Sequence, residues 1–291
     1  MDIVLTLLTI IMTAATPLLL AALGEMVTER SGVLNLGVEG MMVMGAVAGF
    51  GGAYVTGNPW LGILTSILAG MLMSLLFGFL TLTLLANQVA TGLALTLLGL
   101  GLSALIGESF VGQPGIKLPT LSGIDPLVPF SLVMVAAVSW FMFRTKMGLV
   151  IRAVGNSHTS AHALGYNVIG VRYLSVLFGG AMSGIAGGYL SLVYTPQWVE
   201  NMTSGRGWIA LALVVFASWL PFRILAGAYL FGTISILSFV LQAQGLGIPS
   251  QFLSSLPYLG TILALVVISG NKALTRRNTP ASLGQPFVPD R

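Results

Sequence analysis

The sequence predicts an all-α polytopic integral membrane protein with about nine transmembrane helices. Of its 291 residues, 56% are hydrophobic and only 7% are charged, whereas an ordinary soluble domain carries roughly 25% charged residues. A soluble fold of this size must keep most of its surface in water and could not hide that much apolar area. Glycine contributes 37 residues, and glycine is more frequent in membrane helices than in soluble ones. Cysteine is absent, which excludes disulfides and thiolate metal sites.

Apolar runs long enough to cross a bilayer recur along the chain. A helix that crosses the hydrocarbon core needs about 20 apolar residues, and no charged residue occurs between Glu39 and Glu108. That interval accommodates three spans, which break at the Gly57-Asn58-Pro59 turn signal and at the polar Asn87-Gln88 pair. The 207–220 run is short for a crossing, so the predicted count is eight to ten. We place the spans near 3–23, 41–56, 60–85, 89–107, 127–143, 173–195, 207–220, 224–243 and 256–270.

The orientation follows from the basic residues outside the spans. Lysine and arginine in short loops concentrate on the cytoplasmic side, and here they fall mainly in the segment 144–172 and in the tail 272–291. Because four predicted spans separate these two segments, both can lie in the cytoplasm. We predict one transmembrane domain over 1–271, a basic disordered cytoplasmic tail over 272–291, and an N-terminus outside.

Motifs for covalent chemistry and for nucleotide binding are missing from the sequence. It contains neither a phosphate-binding G-x-x-x-x-G-K-[ST] loop nor a G-x-S-x-G nucleophile elbow, so we expect no catalytic residue and no cofactor. His158 and His162 have the i, i+4 spacing of two metal ligands on one helix face, but no third ligand lies nearby in sequence. We interpret them as polar residues of a cytoplasmic surface helix and expect no metal site.

The predicted spans contain essentially no charged side chains. A carrier driven by a proton or sodium gradient normally needs ionisable residues within the membrane. The sequence therefore favours a pore whose energy comes from elsewhere. An ion-coupled secondary carrier and a structural or assembly membrane protein are the alternatives from other classes.

The segment 144–172 is longer than a connection between two neighbouring helices needs to be. Read as a helix, its centre is rich in small side chains, which let a second backbone or a partner groove approach closely. We predict a short helix presented to a partner protein, with an amphipathic loop on the membrane surface as the alternative. The candidate docking residues are Arg152, Ala153, Gly155, Ala161, Ala163 and Gly165.

Close helix packing is predicted for the stretch "GGAMSGIAGGYL" at 179–190. Gly180, Gly184 and Gly188 recur at a spacing of four, and small residues on one face let membrane helices approach each other. We interpret this face as a packing surface and not as a ligand site.

Two stretches of the sequence resemble known permeases. The stretch "RAVGNSHTSAHALGYNV" (152–168) resembles the ATPase-docking loop of ATP-binding-cassette (ABC) importer permeases. The stretch "LGEMVTERSGVLNLGVEGMMVMGA" (23–46) closely resembles the signature of the simple-sugar and nucleoside branch of the branched-chain-amino-acid-type permease family, and this motif is long and specific. The resemblance extends to about Asn271. It implies a type II-like importer bundle that forms half of a pathway for nucleosides, with purine nucleosides favoured and a ribose-like sugar as the alternative.

The resemblance also implies partners and a location. A cytoplasmic ABC ATPase would bind and hydrolyse ATP, so that this chain would be a transport subunit and not an enzyme. A second permease chain, by analogy a longer paralogue, would complete the pathway, and an extracytoplasmic lipoprotein would deliver the substrate. The chain would lie among the lipids of a bacterial cytoplasmic membrane, with its C-terminus in the cytoplasm and no nucleic-acid partner.

The resemblance assigns a role to the charged stretch that follows the first apolar run. Glycines there permit tight bends, Asn35 suits a helix cap, and irregular backbone near a membrane must be buried in protein or line a cavity. We predict a structural hinge beside the cytoplasmic gate, with a solvated interfacial loop as the alternative. Glu39 is expected to be buried and paired, because a long apolar run follows it. The signature residues are Glu29, Arg30, Gly32, Asn35, Gly37, Glu39 and Gly40.

Five aromatic residues are candidates either for stacking on a substrate ring or for anchoring the protein at the membrane surface. Aromatic residues at interfacial depth usually act as anchors, and we favour that reading. They are Phe110, Tyr189, Tyr194, Trp198 and Trp208.

Overall fold

The protein is an α-helical bundle with the character of a polytopic membrane protein. The computed structural model describes residues 2–120, 123–243, 249–269 and 278–288, and within these ranges it contains eleven α-helices and no strand. Seven of the described helices are long and apolar enough to cross a membrane, which confirms the predicted class. The helices are α1 (Asp2–Arg30), α2 (Val38–Thr56), α3 (Pro59–Gly78), α4 (Gln88–Gly107), α5 (Leu127–Arg144), α6 (Lys146–Asn156), α7 (His158–Ala163), α8 (Val168–Tyr189), α9 (Arg206–Phe216), α10 (Pro221–Ala243) and α11 (Ser250–Ser269).

Local capping sets the boundaries of α2, α3 and α4. Gly57 ends α2 in the left-handed region, and the Asn58 side chain accepts a hydrogen bond from the Trp60 N–H at the start of α3. Asn87 caps α4 in the same manner, by accepting a hydrogen bond from the Ala90 N–H. Side-chain oxygens at these positions satisfy amides that a helix start leaves free. Both breaks therefore lie where the sequence predicts them.

The helix α8 lies at the centre of the bundle and packs against α1, α2 and α3. The glycines Gly180, Gly184 and Gly188 face α3, because a Cβ atom added at any of them would overlap an atom of Ser66 or Ser74. In lipid, where apolar side chains gain little from leaving their surroundings, such close backbone approach is a main source of helix association.

The outward faces of α3 and α4 are strongly apolar. Large leucine side chains there, including Leu68, Leu72, Leu97 and Leu105, are exposed. A face of this kind suits contact with lipid acyl chains and would be unfavourable in water. The bundle therefore presents this side to the bilayer.

The first helix is longer than the sequence predicts. The apolar run suggests a span that ends near residue 23, whereas α1 continues to Arg30 and carries Glu25 and Glu29 as buried residues. The charged residues that the sequence places after the first span therefore belong to the helix itself. The helix can extend because buried carboxylates are tolerated where hydrogen-bond donors meet them, and Trp219 supplies such a donor to Glu29.

The C-terminal part of the chain differs from the predicted disordered tail. Residues 278–288 pack against the α6–α7 end of the bundle, where Ser282 donates its backbone N–H to the Gly155 carbonyl and Phe287 is buried. We call residues 282–287 the C-terminal strap. The basic residues Lys272, Arg276 and Arg277, on which the tail prediction also rests, lie outside the described residues.

Candidate functional site

Two crossings of the bundle are interrupted by irregular backbone. Residues 31–37 connect α1 to α2, and residues 195–205 lead into α9. Because α9 has only eleven residues, it is about 16 Å long, or roughly half of a hydrocarbon core about 30 Å thick. The 207–220 run, predicted as a full span, is thus a half-length helix preceded by a non-helical segment.

Residues 31–37 run along α4 toward the middle of the bundle. The Leu34 N–H donates to Oε1 of Gln88 at the start of α4, whereas a Cβ atom added at Gly40 would lie 2.7 Å from the Leu95 carbonyl oxygen. Leu95 is about 10 Å farther along the helix than Gln88. The helix α2 therefore begins near the middle of the bundle and not at its surface.

Glu39 joins the two interrupted crossings. Its Oε1 accepts hydrogen bonds from the Thr203 hydroxyl at 2.5 Å and from the Gly205 N–H at 2.8 Å, and its Oε2 accepts one from the Gly207 N–H at 2.5 Å. These donors belong to the first turn of α9 and the residues before it, where unpaired amides and the helix dipole favour a negative charge. The expectation that Glu39 is buried is confirmed, and its partners are a hydroxyl and two backbone amides.

The segment before α9 presents polar groups next to the residues that bind Glu39. Glu200, Asn201 and Ser204 are exposed in the single chain, and the Ser204 carbonyl accepts a hydrogen bond from the Tyr258 hydroxyl at 3.1 Å. Irregular backbone inside a membrane must be buried in protein or line a water-filled cavity. We call residues 200–208 the polar wall, and its exposed side must face a cavity or another chain.

The polar wall contains two charged residues that the sequence reasoning missed, Glu200 and Arg206. The guanidinium carbon of Arg206 lies 4.9 Å from the centre of the Tyr194 ring, and Nη1 donates to the Met202 carbonyl. An ionisable side chain within the membrane is usually functional. The signal was available in the sequence, because Gly205 and Gly207 flank Arg206 immediately before a short apolar run.

The five candidate aromatic residues have different surroundings. Tyr189 and Trp198 are buried in the bundle, and Phe110 packs against Phe50 and Tyr54. Tyr194 contacts Arg206 of the polar wall, and the partly exposed Trp208 belongs to the wall.

The signature residues tie the end of α1 to the turn between α9 and α10. Glu29 Oε2 accepts the Trp219 indole N–H at 2.5 Å, and Arg30 Nη2 donates to the Trp219 carbonyl at 3.0 Å. Glu29 and Arg30 thus meet at Trp219 and do not pair with each other. Asn35 accepts the Gly37 N–H, which shapes the turn before α2 in place of capping the helix directly.

The α6–α7 element carries the candidate docking residues, and the structure divides them into two groups. Ala153, Ala163 and Gly165 are exposed, and Arg152 is partly exposed. Gly155 and Ala161 face inward: Gly155 lies against the Arg30 carbonyl, and Ala161 is buried in a cluster that contains Phe287. The most exposed apolar side chain here is Leu164, at 77% exposure, and together with the exposed Tyr166 it was missed by the sequence reasoning.

The C-terminal strap connects this element to the signature stretch. Gly284 donates its N–H to the Gly32 carbonyl at 3.1 Å, and Arg172 Nη1 donates to the Gln285 carbonyl at 3.1 Å. Gly32 has φ +86°, a conformation that glycine adopts without strain. The strap therefore links the predicted hinge, the docking element and the start of α8.

Phe287 of the C-terminal strap packs against the two histidines of α7. The Phe287 ring lies 5.2 Å from the His158 ring and 5.4 Å from the His162 ring, edge-on to both. Burial, and secondarily the positive charge of Arg172, lower the pKa of His158. In the described part of the chain no group of three His, Cys, Asp or Glu residues is placed to hold a metal ion.

Interrupted helices that meet near the middle of a bundle, beside a polar irregular segment, are typical of membrane transport proteins. Residues 7–269 match the family described as "Branched-chain amino acid transport system / permease component", and the chain belongs to this family. It is therefore an ABC transporter permease, a transport component and not an enzyme.

Named relatives cover nearly the whole chain. A protein that carries the name of a glucose ABC transporter permease, TsgC13 of Haloferax volcanii, is 40% identical over 94% of each chain. The guanosine ABC transporter permease NupQ of Bacillus subtilis is 34% identical over 94% of this chain and 93% of its own length. The nucleoside ABC transporter permease NupC of Lactococcus lactis is 31% identical over 88% of this chain and 90% of its own length. No solved structure matches the chain.

Proposed function

We propose that the chain forms half of the translocation pathway of an ABC importer for nucleosides, with purine nucleosides favoured, and that the polar wall lines this pathway. The observation that carries the proposal is the Glu39 clamp, which holds α9 at mid-depth and presents the segment before it. Family membership gives the class of protein, and we assign the passage of the solute to the polar wall.

The chemistry of the polar wall suits a neutral polar solute with an aromatic ring. Asn201 and Ser204 offer amide and hydroxyl groups that can exchange hydrogen bonds with a ribose. Trp208 offers an aromatic face for a base, and Arg206, held by Tyr194, offers N–H donors to ring nitrogens or carbonyls. Two relatives named for guanosine and nucleoside transport support this choice.

A simple sugar is the second candidate substrate, because the relative with 40% identity carries the name of a glucose permease. A sugar would use the hydroxyl and amide groups of the wall, and the ring contact would be dispensable. The two substrates can therefore be separated at Trp208, whose replacement by leucine should weaken nucleoside uptake more than sugar uptake.

The assembly we propose follows from the surfaces of the chain. The exposed polar wall requires a second permease chain, a longer paralogue by analogy, to complete a cavity within the bilayer. Ala153, Ala163, Gly165, Leu164 and Tyr166 form the proposed docking surface for a cytoplasmic ATPase, which binds the ATP. An extracytoplasmic lipoprotein delivers the substrate.

The proposed topology has nine crossings in a bacterial cytoplasmic membrane. Seven are the long apolar helices, the eighth is α11, and the ninth combines residues 195–205 with α9. The N-terminus then lies outside, and α6, α7 and the C-terminal strap lie in the cytoplasm. Lysine and arginine in the 144–172 segment support this orientation.

The test is uptake into cells that lack their own nucleoside and sugar importers and that express this permease with its partner subunits. We expect uptake of labelled guanosine that competes with inosine and adenosine, survives collapse of the proton gradient, and stops when the ATPase carries an inactivated Walker A lysine. Uptake of labelled ribose or glucose without guanosine uptake would overturn the nucleoside assignment. Uptake that persists with the inactive ATPase would overturn the importer assignment.

A further inference from the structure

An apolar cavity of about 330 Å³ lies between α5 and α8, at the end of the bundle that carries α6. Its walls come from four helices and include Val27 of α1, Ala137 and Phe141 of α5, Ile151 of α6 and Leu174 of α8. Leu174 and Ala137 are exposed in the chain, so the cavity opens toward the lipid-facing surface. An apolar space with such an opening can accept a hydrocarbon chain but has little to offer a polar solute.

Two arginines lie beside this cavity, and no acidic residue in the described part of the chain pairs with them. The guanidinium carbons of Arg30 and Arg152 lie 5.8 Å and 5.1 Å from the centre of the same ring, that of Phe143. Arg30 is only 8% exposed, and among the described residues the buried Nε atoms of both arginines have no hydrogen-bond partner. Two cations that share one ring repel each other, and an anion between them would remove that repulsion.

The cavity and the arginine pair are adjacent along two helices. Val27 lies one helical turn before Arg30, and Ile151 directly precedes Arg152. The exposed Arg144 and Lys146 add further positive charge at the α5–α6 corner. The arrangement therefore offers a hydrocarbon site and an anion site side by side, which are the two chemical parts of an anionic phospholipid.

We propose that the cavity and the arginine pair bind one anionic phospholipid, with its phosphate at Arg30 and Arg152 and an acyl chain in the cavity. The proposal uses the orientation proposed above, which places this end of the bundle in the cytoplasmic leaflet, where anionic lipids give a negative surface potential. Basic side chains near that surface each contribute about 1 kcal/mol to the binding of such lipids. The site does not depend on which solute the permease carries.

The first arm of the test examines the acyl-chain cavity. The full-length chain is reconstituted in vesicles of equal parts phosphatidylglycerol and phosphatidylcholine, extracted in mild detergent, and its retained lipid is identified by mass spectrometry. We expect phosphatidylglycerol to be retained in preference to phosphatidylcholine. Ala137→Trp, which fills the cavity, should lose it, whereas Ala136→Trp, at the neighbouring exposed position outside the cavity lining, should retain it. If Ala137→Trp does not fold, Ala137→Leu provides the smaller change.

The second arm examines the anion site. Arg152→Gln should lower the affinity for phosphatidylglycerol about fivefold, because about 1 kcal/mol is lost, whereas Lys117→Gln, which removes an exposed charge elsewhere, should not. Equal retention of both lipids, or retention by Ala137→Trp equal to that of Ala136→Trp, would overturn the proposal. It would also fall if Arg152→Gln abolished ATPase association and left lipid retention unchanged, since the arginines would then serve a protein partner. Guanosine uptake measured in parallel keeps this result separate from the transport assignment.

Discussion

The Gly205 N–H donates a hydrogen bond to Oε1 of Glu39 at 2.8 Å, across 166 residues of sequence. The bond fixes the start of α9 beside the start of α2, so that both interrupted crossings are held at one point near the middle of the bundle. The polar wall depends on this carboxylate.

Glu39→Gln should weaken the anchor and destabilise the protein. The substitution keeps one acceptor oxygen but removes the charge and the second carboxylate oxygen that accepts from Gly207. Hydrogen bonds to charged groups contribute about 1.5–3 kcal/mol each, so we expect a loss of that order in the free energy of unfolding. Thermal unfolding in detergent measures the loss.

Glu108→Gln is the matched control for that substitution. Glu108 is exposed at the end of α4, and exposed charges contribute little, so its replacement should leave the unfolding midpoint nearly unchanged. An unfolding midpoint of Glu39→Gln equal to that of Glu108→Gln would show that the carboxylate does not hold α9.

The glycine face of α8 should be intolerant of even one methyl group. Gly184→Ala would place a Cβ atom against the Ser66 carbonyl, and overpacking of this kind typically costs about 1–3 kcal/mol. Gly101→Ala, in α4, meets nothing within 4 Å and should be neutral or stabilising by up to about 1 kcal/mol, because alanine favours helix more than glycine. Comparison of the two variants by denaturant unfolding checks the prediction; equal stabilities would contradict it.

The C-terminal strap should loosen in acid. The pKa of His158 lies below its usual value near 6.5 because of burial and the charge of Arg172. His158 therefore binds a proton more readily when the strap is released than when the strap is packed against it. The contribution of His158 to strap packing is then present above about pH 6.5 and declines as the pH falls below it. Hydrogen exchange at residues 282–287, measured from pH 7.5 to pH 5, should show falling protection.

The two histidines of α7 separate this effect from general acid sensitivity. His158→Gln should remove the pH dependence of strap protection, whereas His162→Gln, which leaves the contact between His158 and Arg172 intact, should retain it. Equal pH dependence in both variants would mean that another group titrates.

The proposed docking surface should be sensitive at Leu164. Leu164→Asp places a charge where an apolar side chain is 77% exposed, and a partner that covers this leucine would have to bury an unpaired carboxylate. We expect co-purification of the ATPase to fall at least tenfold. Val55→Asp, at a 78% exposed apolar residue at the end of α2, should have no effect. If Leu164→Asp co-purifies normally with the ATPase, the C-terminal end of α7 is not part of the interface.

Helix boundaries set by neighbouring residues could be predicted from the sequence, and boundaries set by distant partners could not. Asn58 and Asn87 cap their helices through amides two or three residues away, so that the signal and its effect are close together in sequence. The extension of α1 to Arg30 depends on Trp219, which is 190 residues from Glu29. No local pattern reports such a partner, so the sequence places the charged stretch after the first helix and not within it.

The same limit applies to the site. The small residues of the α6–α7 element predict close contacts, but only the fold shows that Gly155 and Ala161 make theirs within the chain, against Arg30 and Phe287. The absence of carboxylates from the predicted spans argues against an ion-coupled carrier. Glu39, a carboxylate buried near the middle of the bundle, removes that argument, and family membership now carries the distinction.

The most direct test is whether the polar wall faces water within the membrane. The sequence contains no cysteine, so Ser204→Cys gives a single labelling site in this chain, and Leu72→Cys on the exposed face of α3 gives a lipid-facing control. We predict that a membrane-impermeant thiol reagent labels Ser204→Cys in at least one nucleotide state of the ATPase, that guanosine slows this labelling, and that Leu72→Cys stays unlabelled. A cysteine at position 204 that resists the reagent from both sides and in every nucleotide state would contradict a pathway along this wall.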